Sequence, residues 1–259
     1  MTALKTLLLV GLVVALPLRA TAADNGWPHG AMAAVANPYA TDAAVAMLER
    51  GGHAVDAAIA AHAVLGLVEP QSSGLGGGGF MLVYDRAGDS IVFHDGRETA
   101  PAAVESDHFL TDDGTPMGFL DAVPGGQSVG VPGTLRMLEL AHQEHGELPW
   151  KTLFQPAIRL AETGFVVTRR LAEMLRIDLP LDAFEPMAGY FFPDGEPLSA
   201  GMTLRNPALA ATFTEIANQG ADAFYDGPIA EAIVATVQAH GGELTREDMA
   251  DYRAIERAP

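Results

Sequence analysis

The chain has 259 residues, with 33 Asp and Glu against 15 Lys and Arg, which gives a formal charge of −18 at neutral pH. A field of that sign repels phosphate, and no basic cluster offsets it locally, so a general nucleic-acid-binding role is excluded. At 49% apolar and 19% charged residues the composition is that of a globular protein with a full core, and the lack of cysteine removes disulfides, thiolate nucleophiles and Cys-ligated metal sites.

Residues 1–22 read as a secretory signal peptide. Lys5 charges its start, Leu7 to Leu18 form an apolar run broken by Gly11 and Pro17, and Ala20-Thr21-Ala22 is a small-x-small cleavage site. The run is shorter than the roughly 20 residues needed to span a bilayer, so the expectation is export to the periplasm or medium without a stable membrane anchor. Residues 23–259 then read as one domain.

The first helix is expected to start at an N-cap on Thr41 or Asp42, to bury Val45 and Leu48, and to stop at Gly51-Gly52. A second follows over about residues 54–66, where Val55, Ile59 and Ala63 recur at i, i+4 and i+8. Glu69-Pro70 ends it, and a glycine-rich turn leads into a hairpin with strands at Phe80–Tyr84 and Ile91–Phe93. Neither strand alternates cleanly, so both faces are expected to be covered, as in a layered α/β protein. Pro132 predicts the start of a helix that buries Leu135 and Leu138 and closes at Gly146. One further helix is expected from Trp150 to Gly164. Residues 178–201, rich in Pro, Gly and aromatics, read as an irregular excursion. Asn206-Pro207 opens a helix with Leu209, Phe213 and Ile216 inward, and Pro228 opens another with Ile229, Ile233 and Val237 inward. Thr245 and Asp248 form a capping-box pattern for a last helix.

Several motifs invite a chemical reading. The run Gly74-Leu75-Gly76-Gly77-Gly78-Gly79 matches the dinucleotide fingerprint, but a helix precedes it and a strand follows, the reverse of what a phosphate cradle needs. Gly126-Gln127-Ser128-Val129-Gly130 matches a nucleophile elbow, yet Pro124 and Gly125 interrupt any strand leading to Ser128, and the next helix begins too late. None of the eight histidines has the sequence spacing of a metal site, so no metal or other cofactor is called for; His142 and His145 read as solvated near a helix C-terminus and His62 as packed. Arg97 follows a buried strand in a chain poor in arginine. Its guanidinium could clamp a carboxylate bidentately or brace the fold through a salt bridge, and spacing leaves both open.

Beside these readings stands a resemblance. GGHAVDAAIAA at 51–61, VEPQSSGLGGGGFMLVYD at 68–85, GRETAP at 96–101, SVGVPGT at 128–134, LPWKTLFQPAIRLAETGF at 148–165, LRNPALAATFTEIA at 204–217 and GADAFYDGPIA at 220–230 resemble the N-terminal, large-subunit part of a gamma-glutamyltransferase. The resemblance implies a partial αββα sandwich of the N-terminal-nucleophile hydrolase type, made as a precursor that cuts itself into two subunits. It implies that Arg97 binds the α-carboxylate of a gamma-glutamyl substrate such as glutathione, with Glu98 helping to place it. The attacking threonine is then expected at the start of the small subunit, beyond Pro259, so that 23–259 would be an incomplete large-subunit domain inactive by itself. His53 departs from the asparagine usual at that place in the family. The alternatives are a cephalosporin or glutaryl-type acylase of the same superfamily, a serine hydrolase built on Ser128, and a secreted binding protein without catalysis.

Overall fold

Asparagine before proline starts the first helix: α1 (Pro38–Glu49) has Asn37 as N-cap, and the Asn37 side chain accepts a hydrogen bond from the Tyr39 amide at 3.1 Å. The expected start at Thr41 or Asp42 is therefore corrected by one turn. The Asn-Pro pair sets the cap before the apolar pattern begins. α2 (Ala54–Val68) opens with a capping box between His53 and Asp56. Asp56 is fully buried, and its carboxylate also accepts from the Glu147 and Leu148 amides at 3.0 and 3.3 Å, which ties the start of α2 to a distant loop. The computed structural model describes residues 30–259 apart from 178 and 186, so the 1–22 signal-peptide segment lies outside the described residues.

Strands β1 (Gly79–Asp85) and β2 (Ser90–Gly96) form the expected hairpin, with Met81 opposite His94 and Gly79 opposite Gly96. β5 (Ile255–Arg257), from the far end of the chain, adds a third antiparallel strand on the β2 edge. Of the two faces expected to be covered, the described residues cover one. Val83 is buried and Met81 partly so, whereas Phe80, Leu82 and Tyr84 are more than half exposed, and Ile91 and Ile255 are exposed too. Apolar residues point both ways, but among the described residues only one side is packed, by α4 (Thr134–His145). The strand and helix approach closely at Gly96, where a Cβ would press on the Met137 side chain and stand 2.9 Å from the Gly133 carbonyl oxygen.

Between hairpin and α4 lies α3 (Phe119–Ala122), a single turn. α4 closes at Gly146 as its sequence predicts, but it starts at Thr134 with Gly133 as N-cap, so Pro132 precedes the cap and does not occupy the first helical position. The single helix expected from Trp150 to Gly164 is instead two, α5 (Trp150–Leu153) and α6 (Gln155–Thr163), joined at Phe154. Pro156 has no amide hydrogen to continue the ladder, so it sits in the first turn of a new helix. β3 (Phe165–Val166) pairs with β4 (Thr203–Leu204), and between them run the short helices α7 (Arg169–Met174) and α8 (Met187–Phe191) in an otherwise irregular excursion.

α9 (Pro207–Gln219) is capped by Asn206, whose side chain accepts from the Leu209 amide at 2.9 Å, and it buries Phe213 and Ile216. After the turn α10 (Asp222–Tyr225), α11 (Pro228–Ala239) buries Ala230, Val234 and Val237. Val237 faces inward as expected, whereas Ala230 and Val234 are buried in place of their neighbours Ile229 and Ile233, which are only partly covered. α12 (Arg246–Asp251) carries the predicted capping box of Thr245 and Asp248. The α1–α2 pair, α4, α6 and α9 share one core around Met47, Ile59, Leu135, Phe154 and Phe213. Among the described residues no helix is long and apolar enough to cross a membrane.

Candidate functional site

The hairpin and the first turn of α4 converge on Arg97 and Glu98. Arg97 is the first residue past β2, and its backbone is held at both ends: its amide donates to Asp95 Oδ1 at 2.9 Å, and its carbonyl accepts the Tyr252 hydroxyl at 2.7 Å. Arg257 Nη1 in turn meets Asp95 Oδ2 at 2.6 Å. The Arg97 amide first and Arg257 second hold the Asp95 carboxyl below its ordinary value. Burial, with Asp95 and Glu98 adding negative charge, pushes the Tyr252 phenol up to about 12, so it stays a proton donor to the Arg97 carbonyl. The backbone here is fixed while the side chain reaches into solvent: the Arg97 side chain is 64% exposed.

Its one ionic partner among the described residues is Glu98, with Nη1 to Oε2 at 2.9 Å. The guanidinium and carboxylate stand beside a cavity of about 300 Å³, shared with His108, Gln127 and Ser128. Glu98 also borders a second cavity of about 450 Å³, formed by the 70–78 loop, His62 and Thr134. The glycine-rich loop runs against the Glu98 backbone, and a Cβ on Gly78 would stand 2.6 Å from the Glu98 amide nitrogen. The amides of Gly133 and Thr134 both donate to the Gly77 carbonyl, at 2.9 and 3.1 Å, so the start of α4 fastens the loop. These glycines serve close backbone approach between a helix and a strand, in the order that argues against a dinucleotide cradle.

The loop has a second anchor. Glu69 is buried, accepts from Asn37 Nδ2 at 2.8 Å and Gln71 Nε2 at 2.6 Å, and lies 3.4 Å from the Arg170 guanidinium. Its carbonyl receives the amides of Ser72 and Ser73. Burial, opposed by a 3.3 Å hydrogen bond to the Gly74 carbonyl, lowers the His62 imidazole from its ordinary 6.5 and keeps it neutral at pH 7. His62 is packed, as its sequence predicts.

The elbow pattern at Ser128 does not form an elbow. Ser128 ends a 3₁₀ turn, and its hydroxyl donates to the Val123 carbonyl at 2.6 Å, while the nearby His108 Nε2 pairs with the Gln127 carbonyl at 2.8 Å. Among the described residues no imidazole is hydrogen-bonded to that hydroxyl, and Ser128 is a turn residue lining the Arg97 cavity. The solvated reading of His142 and His145 is also corrected. Both side chains are about four-fifths covered; His142 Nε2 pairs with the Leu148 carbonyl at 2.8 Å and His145 stacks on His53 at 5.7 Å. Sequence reasoning missed the supports of Arg97, because Asp95, Tyr252 and Arg257 meet only when β5 and the end of α12 return to β2.

Comparison with known proteins places these features in context. The profile of the Gamma-glutamyltranspeptidase family matches residues 40–259. The chain is 42% identical over 221 residues to the glutathione hydrolase proenzyme of Bacillus subtilis (strain 168), covering 85% of this chain but 38% of that protein. Its structure is similar to that of gamma-glutamyltranspeptidase from Pseudomonas nitroreducens complexed with L-DON, with TM-score 0.82 and 35% identity, covering 90% of this chain and 68% of that one. Similarity to cephalosporin acylase from Bacillus halodurans is weaker, with TM-score 0.69 and 30% identity over 86% of this chain and 42% of that one. The chain therefore spans about two fifths of the length of the curated relatives it matches.

Proposed function

The chain belongs to the gamma-glutamyltranspeptidase family, and from that premise we propose that it supplies the substrate-holding part of an exported gamma-glutamyl hydrolase/transferase acting on glutathione and related gamma-glutamyl compounds. Its fold is the helix-rich large-subunit portion of the N-terminal-nucleophile sandwich of its structural neighbours. The observation that carries the reading is Arg97, whose exposed guanidinium, paired with Glu98 alone among the described residues, stands on a clamped backbone beside a cavity of about 300 Å³.

In this reading the Arg97 fork pairs with the α-carboxylate of the gamma-glutamyl group. Glu98 keeps the guanidinium oriented before substrate arrives. A threonine on the small subunit, cut from the same precursor, attacks the gamma-carbonyl through its hydroxyl, and its own α-amine takes the proton. The C–N bond breaks, the amine leaves with that proton, and the gamma-glutamyl ester passes to water or to an amino acid or peptide. The bare apolar face of β1 and β2, with Phe80, Leu82 and Tyr84 exposed, is where that subunit packs. The signal peptide at 1–22 delivers the precursor outside the cytoplasm, and no cofactor enters the reaction.

The test assembles the chain with its threonine-bearing subunit and follows glutathione or a gamma-glutamyl anilide. Arg97→Ala is expected to raise KM roughly ten- to a hundredfold, the loss of about 1.5–3 kcal/mol from charged hydrogen bonds, and Arg97→Lys to recover only part of it. An unchanged KM in both variants rejects the role. The acylase reading keeps Arg97 on a carboxylate but predicts a higher kcat/KM for a glutaryl amide than for glutathione. The higher identity to glutathione hydrolases favours the first reading.

A further inference from the structure

On the covered side of the sheet, away from Arg97, β2 meets the C-terminal end of α4. His94 of β2 is 0% exposed, and neither of its ring nitrogens has a hydrogen-bond partner. Its Nε2 lies 3.6 Å from Glu144 Oε2, and the same oxygen lies 3.7 Å from His145 Nε2, which is buried and unpartnered as well. Neither separation is a hydrogen bond. Three polar groups thus crowd together, one ligand atom from each lying within 4.8 Å of the others, and the two histidines leave buried ring nitrogens without a partner. Such a group is costly to leave unsatisfied in a folded interior.

We propose that His94, Glu144 and His145 bind a divalent transition-metal ion, zinc by its ligand chemistry, that fastens the end of α4 to β2. Two imidazoles and a carboxylate form a donor set that zinc takes at about 2.0–2.2 Å in tetrahedral geometry, which places ligand atoms about 3.3 Å apart. The observed separations need only a small closing of the three side chains. Hard cations such as magnesium and calcium prefer an all-oxygen shell and are disfavoured here. Glu144 and His145 are the last two residues of α4, so the ion sits at the negative end of the helix dipole. The ring of His145 is braced on both sides, stacked on His53 and edge-on to His94, each at 5.7 Å between centroids. Glu256, opposite His94 across the sheet, adds negative charge from β5. The fourth position is left to water, or to a side chain that closes in on binding.

Untagged full chain, stripped with EDTA, is titrated with Zn²⁺ at pH 7.5 by calorimetry, and with Co²⁺ by visible absorption. One equivalent of zinc is expected to bind and to raise Tm, and Co²⁺ to give the intense visible bands of a tetrahedral site. Glu144→Gln and His145→Ala change partly covered positions at the helix end and so spare the fold, which circular dichroism verifies. Each is expected to weaken zinc about a hundredfold or more, since even outer partners of metal ligands are worth 10–100-fold. His240→Ala, on the exposed end of α11, leaves binding unchanged. No stoichiometric binding to the folded chain, or binding indifferent to both Glu144→Gln and His145→Ala, overturns the site.

Discussion

The two sides of the three-stranded sheet are built from alternate residues of the same strands, and their fates differ. Met81, Val83 and His94 face α4, and the first turn of that helix meets β2 so closely that only glycine fits at position 96. Phe80, Leu82, Tyr84 and Ile91 face outward and stay exposed. Nothing in the side chains themselves marks one set as core, because both are apolar. Coverage is decided by an element 40 residues away in the chain for one side, and by nothing among the described residues for the other. A hydrophobic strand therefore shows that a face wants burial, and not what buries it.

That contrast can be broken experimentally, and the largest effects belong to the covered side. Leu135→Ala, on α4 with its side chain fully buried, is expected to cost about 2–5 kcal/mol in urea unfolding; a loss under about 1 kcal/mol would show that α4 packs loosely. Gly96→Ala should cost about 1–3 kcal/mol, because the methyl group is driven into Met137 and toward the Gly133 carbonyl. A stability equal to that of the parent would mean that strand and helix separate at no cost.

Acidification gives a smaller effect with a definite sign. The His62 imidazole titrates below its ordinary 6.5 in the folded state, mainly through burial, so the unfolded chain takes up the proton first. The stability due to neutral His62 is fully present above pH 6.5 and is lost as the pH falls from there through the folded value. His62→Gln should flatten that limb of the unfolding midpoint against pH. An unaltered limb assigns it to other groups. Smallest is the bare side, where Leu82→Ser should alter the stability of the isolated chain by no more than about 0.5 kcal/mol. Its effect is expected in assembly, as weakened co-purification with the threonine-bearing subunit. A large loss in the isolated chain would show that this face is already covered.

Much of the fold was legible because it is written in local chemistry. Asn206 before Pro207, Thr245 with Asp248, and Gly146 after α4 each satisfy backbone groups within a turn, and each marks a boundary where the structure has one. The boundaries that differ also have local causes: Asn37-Pro38 caps α1 one turn before Thr41, and Pro156 divides what the apolar pattern runs together. Arg97 and Glu98 stood out through a run of motifs, and the structure sets them side by side at one cavity. Their supports could not be read the same way, since Tyr252 reaches the Arg97 carbonyl across 155 positions. The cluster of His94, Glu144 and His145 was hidden for that reason too. Metal spacing rules recognise ligands close in sequence, and here a strand supplies one ligand and a helix end fifty residues on supplies two.

α4 is moored at both extremities, by the Gly77 carbonyl at its first turn and by the neighbourhood of His94 at its last. Twelve residues long, it is a rigid strut of about 18 Å. Its length thus spans the distance between the glycine loop beside Glu98 and the middle of the strand that leads into Arg97.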